Sequence, residues 1–278
     1  MSETTISASD IKKLRDQTGA GMMDCKKALT EANGDFEGAI EILRKKGQKL
    51  SVKRADRDAK EGVVYALVND AATKGVVIRL SCETDFVAKN DDFVNLAKSF
   101  AEIALNEFAD TKDELLNAKY ENITIGEKVT EQVGVIGEKI ELADYQKLEA
   151  PMVVSYIHMG YRAGVLVGTN KASDAFVDPA RDVAMQVAAM KPIALDKDGV
   201  DPSVVEKEIE IGKEVARQEG KPEGLLERIA MGKLNKFYAE NTLLNQSFVK
   251  DNSKTVAQYL KDQDAELTVT AFKHVKLG

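Results

Sequence analysis

The sequence predicts an α+β protein in which a small helical head precedes a duplicated core of antiparallel strands and helices. Three observations support this class. Apolar residues recur at helical spacing near the start, alternating strand patterns follow, and the order strand, turn, strand, helix then occurs twice. A chain of 278 residues can form two or three units with cores of their own. We predict boundaries that separate a head (1–50), a linker (51–61), a first core half (62–140) and a second core half (141–278) with a helical hairpin at 201–240.

The head is predicted to contain three short helices. Ser9 is the expected cap of the first helix, and Gly19 ends it. A second helix extends from about Met22 to Ala32. Asp35 caps the third, which we expect to end before Gly47. Three helices in so few residues form a core at the lower limit of independent stability.

The turn before the second helix contains two glycines and leads into Met22 and Met23. A phosphate-binding loop is excluded, because no lysine followed by serine or threonine comes after a spaced second glycine and no strand precedes the turn. We interpret it as a structural turn whose methionines are exposed as a soft contact patch.

The head is followed by a segment rich in charge. Residues 49–61 mix both signs without aromatic residues, which is typical of a solvated connector and not of a nucleic-acid patch. The net charge of −7 points the same way, since phosphate neutralisation needs a basic face. We therefore expect no direct nucleic-acid binding.

The core begins with strands at 62–69 and 75–83 around a turn, followed by a helix that buries its apolar stripe of Phe93, Leu96, Ala97, Phe100 and Ala104. The same order recurs with strands at 153–158 and 164–170. Its helix is expected to start at the pair Asp178-Pro179 and to end at Pro192. Alternation near residues 267–275 predicts a further strand for the second half.

A pair of polar helices is inserted in the second half. Asp201-Pro202-Ser203 starts the first helix, and residues 220–223 turn the chain back. The apolar positions are sparse, so we expect a projecting αα-hairpin with a thin seam.

The most informative segment follows the second strand of the core. Thr84 suits a helix N-cap, and Asp85 suits the positive end of the helix dipole. Phe86 then lies in the first turn, where an exposed aromatic is often an anchor for a partner. Local pattern leaves open whether Phe86 is such an anchor or packs beneath the sheet as core.

The sequence lacks the motifs of the common catalytic, metal and nucleotide sites, and we expect no catalytic residue, cofactor or metal. A Cys82–His158 dyad is conceivable, but Cys82 lies in an apolar register where thiols are usually inert. For His158 the simpler interpretation is a partly buried strand histidine bonded to backbone. Two distant cysteines, no apolar run of membrane length and no signal-peptide pattern predict a cytoplasmic protein with reduced thiols.

Two motifs resemble the elongation factor Ts family. They are Thr84-Asp85-Phe86-Val87 and the run LRDQTGAGMMDCKKAL from Leu14 to Leu29, and the likeness extends from about Ile6 to Leu277. The resemblance implies a nucleotide-exchange factor for the GTPase elongation factor Tu. It also implies a ubiquitin-associated-type head, a duplicated core and a coiled-coil protrusion that takes part in self-association in some members. The alternative is a noncatalytic adaptor that binds its partner through the head.

The resemblance also implies roles for particular residues. The head docks on the GTPase domain of elongation factor Tu, a role carried onto Gly21, Met22 and Met23. His158 lies in a strand–turn region of the second half that meets elongation factor Tu, and the contacts with that partner include its GTPase domain and a further domain. Residues Thr84, Asp85, Phe86 and Val87 form a wedge that dislocates Mg²⁺, with Phe86 inserted between helices of the partner.

Some positions depart from the commonest family pattern. Tyr161 and Ala163 stand where many members have glycine and isoleucine, and Gln186 stands where some have histidine. The chain ends at Gly278, without the C-terminal helix that some relatives use on the GTPase domain, so we expect that contact to be missing or replaced.

Overall fold

The computed structural model describes residues 6–278. The helices are α1 Ala8–Thr18, α2 Met22–Glu31, α3 Phe36–Arg54, α4 Asp85–Ala88, α5 Asp91–Glu107, α6 Lys112–Leu116, α7 Ile125–Ile136, α8 Val177–Met190, α9 Pro202–Gln218, α10 Leu226–Asn241 and α11 Val256–Gln263. The strands are β1 Glu61–Val68, β2 Lys74–Cys82, β3 Lys119–Tyr120, β4 Ile123–Thr124, β5 Glu141–Glu149, β6 Met152–His158, β7 Ala163–Thr169, β8 Ser247–Phe248, β9 Asp251–Thr255 and β10 Val269–Lys276. The mixture of helices and antiparallel sheets, with a helical head, confirms the α+β class.

The chain divides into two compact units. The first comprises residues 6–65, Ile78–Gln146 and Lys276–Gly278, and the second comprises Ala66–Val77 and Lys147–Val275.

The head consists of α1, α2 and α3 around a small apolar core of Ile11, Leu14, Ala20, Cys25, Ala28, Leu29 and Ala39. Helix α1 starts after Ser7, so the predicted cap at Ser9 is wrong. The hydroxyl of Ser7 accepts from Asp10 N–H while the Asp10 carboxylate accepts from Ser7 N–H. This capping box needs an acid three residues after the cap, which Ser7 has and Ser9 lacks. Gly19, at φ 71°, ends the helix as predicted.

Helix α3 continues through Gly47 to Arg54, so the predicted end before Gly47 is wrong and residues 49–54 are helical. Gly47 serves a different purpose. It lies where α3 crosses α7, and a Cβ atom there would approach the Thr130 carbonyl to 2.8 Å and Gly134 Cα to 3.6 Å. Because glycine has no Cβ atom, the backbones of α3 and α7 can approach closely here. This packing offsets the unfavourable effect of a glycine inside a helix.

The first sheet has the order β1-β2-β5. Strands β1 and β2 begin and end within one residue of the prediction. Helix α5 buries its apolar stripe as expected, including Phe93 and Phe100. Strand β5, however, was not predicted; it pairs beside β2 and follows α7 after a short connection.

The second sheet has the order β10-β7-β6, which confirms the hairpin and the additional strand. Helix α8 covers this sheet. The core between them contains Met152, Val154, Val165 and Val167 from the sheet and Val183 and Val187 from α8. The helix begins at Val177, with Phe176 at the cap position, so the predicted start at Asp178 is wrong. Ser173 caps a preceding 3-10 turn through the N–H of Ala175, and the chain is already helical when it reaches Asp178.

Helices α9 and α10 form the predicted hairpin, and Asp201 caps α9 through the Ser203 N–H at 2.8 Å. Small residues make the seam. A Cβ atom on Gly212 would lie 3.0 Å from Ala230 Cα, and Ala216 is fully buried, whereas Ile211 is 45% exposed. The helices thus pack by close backbone approach. Among residues 6–278, no helix is both long and apolar enough to cross a membrane.

Candidate partner-binding site

The segment that follows β2 makes a tight turn into a one-turn helix. Cys82 is the last residue of β2, and α4 starts three residues later. Thr84 has extended backbone angles, and its hydroxyl oxygen accepts from the Val87 N–H at 3.5 Å, which confirms it as the N-cap. The wedge, residues Thr84 to Val87, therefore begins at a helix N-terminus.

The side chain of Phe86 is 83% exposed, the highest value among the large apolar residues that the structure exposes. The alternative that this residue packs beneath the sheet is therefore wrong. Burying a phenylalanine stabilises a protein by roughly 1.5–3 kcal/mol, and Phe86 forgoes most of that in the free chain. This ring is available to a partner.

Glu138 anchors the turn. Its Oε2 accepts from the backbone N–H groups of Glu83 and Thr84, both at 3.0 Å, and its Oε1 accepts from the Thr84 hydroxyl at 2.6 Å. Glu138 follows Gly137, which ends α7 at φ 83°. Sequence reasoning missed this residue, because it lies 54 positions from Thr84 and no local pattern connects the two.

Glu83 connects the same turn to the end of helix α3. Its carboxylate accepts from Arg54 Nη1 at 2.7 Å, Arg57 Nη1 at 3.2 Å and the Lys139 N–H at 2.6 Å. Partial burial raises the pKa of Glu83, but the hydrogen bonds from Lys139 and Arg54 outweigh it, and the pKa lies below its ordinary value. The carboxylate is thus charged at neutral pH. Arg54, expected to be part of a solvated connector, is a half-buried partner of the site.

Asp85 lies beside the exposed ring and pairs with Lys89 at 2.6 Å, one helical turn along the chain. The hydrogen bond and charge of Lys89 lower the pKa of Asp85. An exposed pair of this kind contributes little and exchanges readily with other partners. Asp85 therefore presents an ionised carboxylate next to Phe86.

A groove of about 650 Å³ lies beside the wedge. Its apolar lining comprises Phe86, Val87, Phe93, Leu96, Tyr120, Val135 and Ile136. Gly19, from the turn between the first two helices of the head, also lines it. The head and the wedge thus border one concave surface of the first unit.

The methionines of the head are exposed, as the sequence predicts. Met22 is 43% exposed and Met23 64% exposed, and Gly21 before them is the N-cap residue of α2, without a side-chain cap. Helix α2 turns its other face, with Cys25 and Leu29, to the core. Gly21, Met22 and Met23 therefore offer an apolar contact on the same unit as the wedge.

His158 belongs to the second unit, at the end of β6. It is half-buried, and its Nδ1 lies 2.9 Å from the Tyr156 hydroxyl. Its carbonyl accepts from the Arg162 N–H across a turn in which Met159, Gly160 and Tyr161 all have positive φ. The expected backbone partner for the ring is replaced here by a tyrosine side chain.

Cys82 is buried, and its Sγ donates to the Thr84 carbonyl at 3.2 Å. Burial, with a further contribution from the Glu138 carboxylate, raises the pKa of Cys82 to about 12. Since the thiolate is the nucleophilic form, a dyad built on Cys82 lacks its nucleophile near neutral pH. Within the described residues 6–278, no cluster of three or more metal-binding side chains occurs.

Comparison with known proteins identifies the family. The family profile described as Elongation factor TS matches residues 83–278. A protein named elongation factor Ts from Christiangramia forsetii is 56% identical over 273 residues, which cover 98% of this chain and 99% of that protein. The chain belongs to the elongation factor Ts family. The resemblance inferred from the two motifs is thereby confirmed.

Other members of the elongation factor Ts family agree over the same extent. The relative from Flavobacterium psychrophilum is 53% identical across 99% of both chains. The relative from Chlorobaculum tepidum is 44% identical across 98% of this chain and 99% of its own. The family match begins at Glu83 and includes the whole wedge and its anchor, Glu138. The chain is accordingly a translation elongation factor.

Proposed function

We propose that this member of the elongation factor Ts family is a guanine-nucleotide exchange factor. It binds GDP-bound elongation factor Tu and promotes GDP release by displacing the elements that hold Mg²⁺ and phosphate. It makes and breaks no covalent bond of its own. The observation that supports this function is Phe86, which is 83% exposed on a turn held by several charge-assisted hydrogen bonds.

The mechanism follows from how a GTPase holds GDP. Backbone N–H groups of the P-loop, a lysine and a bound Mg²⁺ grip the phosphates, so moving any of these groups weakens the grip. Inserting Phe86 between helices of elongation factor Tu buries the ring and recovers roughly 1.5–3 kcal/mol. That gain exists only in the state in which the helices have separated, and it therefore favours the state with weakened nucleotide binding.

The neighbours of Phe86 have supporting roles. Thr84 fixes the start of the helix, and Asp85 exchanges Lys89 for a polar contact near the metal region of the partner. Val87 lines the same groove as Phe86 and supports the ring from the helix side.

Other surfaces supply the binding energy. Gly21, Met22 and Met23 dock on the GTPase domain of elongation factor Tu, and the region of His158 contacts a further domain. Binding at these surfaces brings the wedge to its target. By linkage, the factor by which this protein weakens GDP binding equals the factor by which GDP weakens its own binding, so rebinding of nucleotide releases it.

Three further expectations belong to the proposal. The protein works in the cytoplasm, where elongation factor Tu acts, and it binds that partner without a direct contact to nucleic acid. The hairpin of α9 and α10 is the surface for any self-association.

The test is stopped-flow release of a fluorescent GDP from elongation factor Tu. Phe86→Ala is expected to lower the stimulated rate at least about 30-fold, because truncating a binding hot spot costs about 2 kcal/mol or more. Val52→Ala is the matched control: Val52 is also apolar, 78% exposed and on the first unit, and its variant should release GDP at the normal rate.

Circular dichroism must show both variants folded. Undiminished GDP release with Phe86→Ala would remove the wedge from the mechanism. Tight binding to elongation factor Tu without any stimulated release by the unmodified protein would favour an adaptor that uses the head.

A further inference from the structure

Residues 84–87, the wedge, cannot by themselves fix the orientation of the Phe86 side chain. Helix α4 has only four residues, and a single helical turn is unstable by itself in water. With 83% of its surface exposed, the ring of Phe86 has little packing to hold it in place. The direction of the ring therefore depends on what holds the backbone at Glu83 and Thr84.

The carboxylate of Glu138 fixes the backbone at Glu83 and Thr84. It accepts the N–H groups of both residues and the Thr84 hydroxyl, which are three donors at 2.6–3.0 Å. Hydrogen bonds to a charged acceptor are about twice as strong as neutral ones. The Thr84 hydroxyl, while donating to Glu138, still offers its oxygen to the Val87 N–H. The contact thus reaches from Glu138 through Thr84 into the helix that carries Phe86.

The segment that carries Glu138 is itself fixed. The N–H of Lys139 donates to the Glu83 carboxylate at 2.6 Å, so the two segments exchange hydrogen bonds in both directions. The Lys139 ammonium donates to the carbonyls of Ala55 and Arg57 at 2.9 and 3.0 Å. Glu138 is therefore a rigid support and not a mobile surface carboxylate.

We propose that Glu138 is the positioning residue of the wedge: it fixes the direction in which Phe86 meets the partner, without contacting the partner. The expected effect of Glu138 on stimulated GDP release rests on the proposed exchange function. The structural part, the ordering of Phe86, is measurable in the free protein.

The variants are chosen from the hydrogen-bond geometry. Glu138→Ala removes all three contacts. Glu138→Gln can keep them, because the amide oxygen accepts both backbone N–H groups and the amide nitrogen donates to the Thr84 hydroxyl. Glu141→Ala is the matched control, since it removes a nearby carboxylate that pairs with Lys139.

The first measurement uses no partner. The chain contains no tryptophan, so Phe86→Trp places a single tryptophan at the tip of the wedge, which can be excited selectively over the tyrosines. Time-resolved anisotropy then reports the nanosecond motion of that side chain. We expect Glu138→Ala to increase the amplitude of fast motion at least about twofold, and Glu138→Gln and Glu141→Ala to leave it unchanged. Unchanged motion in Glu138→Ala overturns the proposal.

The second measurement uses proteins with the native Phe86. Stimulated GDP release is followed against the concentration of each variant. Glu138→Ala should lower the maximal rate about tenfold, within the loss that misplacing an active group by about 1 Å can cause. The half-saturating concentration should change less than about threefold, since the docking surfaces are intact. A merely destabilised protein would show neither this separation nor rescue by Glu138→Gln.

The outcomes separate the two proposals. If the unmodified protein fails to stimulate release, the proposed function fails while the anisotropy still decides whether Glu138 orders Phe86. If release is stimulated but Glu138→Ala retains the full maximal rate, positioning by Glu138 is overturned and the exchange function stands. If Glu138→Ala does not fold, Glu138→Asp takes its place with the same directions of change, because it withdraws the carboxylate by one methylene and leaves the Thr84 cap on Val87 intact.

Discussion

The two units carry the same local motif and use it in opposite ways. In each, the second strand of a hairpin ends, a hydroxyl residue caps a short helical turn, and a phenylalanine follows. After β2 the cap is Thr84 and Phe86 is 83% exposed. After β7 the cap is Ser173, and Phe176 is half-buried against the core of the second unit. One phenylalanine is available to a partner and the other stabilises its own domain.

The two arrangements differ in the distance between strand and cap, in the type of helical turn, and in the spacing from cap to phenylalanine. Phe86 is two positions after its cap, whereas Ala175 intervenes in the second unit and places Phe176 three positions after Ser173. Each residue rotates a side chain by about 100° in an α-helix and about 120° in a 3-10 turn, which is enough to exchange a solvent-facing direction for a core-facing one. The motif alone therefore does not set the exposure of the phenylalanine, and we expect its register after the cap to contribute.

The largest expected effect concerns the two rings themselves. Phe86→Ala should reduce stimulated GDP release at least about 30-fold and leave the free energy of unfolding within about 0.5 kcal/mol, because the ring is already exposed. Phe176→Ala should leave stimulated GDP release unchanged. It should lower the free energy of unfolding by about 2 kcal/mol, because this phenylalanine is half-buried. Urea titrations and stopped-flow release on both variants measure this. Equal stability losses would break the comparison.

The next prediction tests register directly. Inserting one alanine between Asp85 and Phe86 copies the spacing of the second unit and rotates the ring by about 100°. We expect the stimulated release rate to fall about tenfold, as for other misplaced groups. The same insertion after Gly220, in the turn between α9 and α10 where the glycine has open space around it, is the control. Retained release with the rotated ring would show that register does not set the function of Phe86.

A smaller effect is expected at the helix crossing that supports the anchor. Gly47→Ala forces a Cβ atom against the Thr130 carbonyl, and overpacking of this kind costs about 1–3 kcal/mol. Gly232→Ala is the control, since this helical glycine has open space around it and the change should stabilise by about 0.5–1 kcal/mol. Thermal unfolding measures both. A neutral Gly47→Ala would mean that the two helices separate easily.

The smallest expected effect is on thiol chemistry. Burial, with the nearby Glu138 carboxylate, raises the pKa of Cys82 to about 12, so the thiol stays protonated until the pH approaches that value. Near neutral pH almost none of the Cys82 side chains therefore carry the reactive thiolate. Alkylating reagents should therefore leave native protein and its exchange activity unchanged over an hour, while urea-unfolded protein reacts rapidly. Fast modification of Cys82 in the native state would contradict the buried environment.

The sequence by itself determined the elements whose signals are local. The strands β1 and β2, the caps Thr84, Asp35 and Asp201, and the exposure of Met22 and Met23 all follow from patterns within a few residues. Caps and periodic apolar faces are interactions between near neighbours, so they are legible in the order of residues. Two long motifs were also enough to recognise the elongation factor Ts family.

Only the tertiary structure decided how the wedge is presented. Local pattern left the exposure of Phe86 open, since a similar motif leaves Phe176 half-buried against a core. The anchor Glu138 and the contact of Gly47 with α7 join residues far apart in the chain, and a glycine at a helix crossing has the same sequence signal as one that ends a helix. Such contacts form only once the backbone has folded, because folding brings groups that are distant in sequence within 3 Å of each other. No short window of sequence contains both partners.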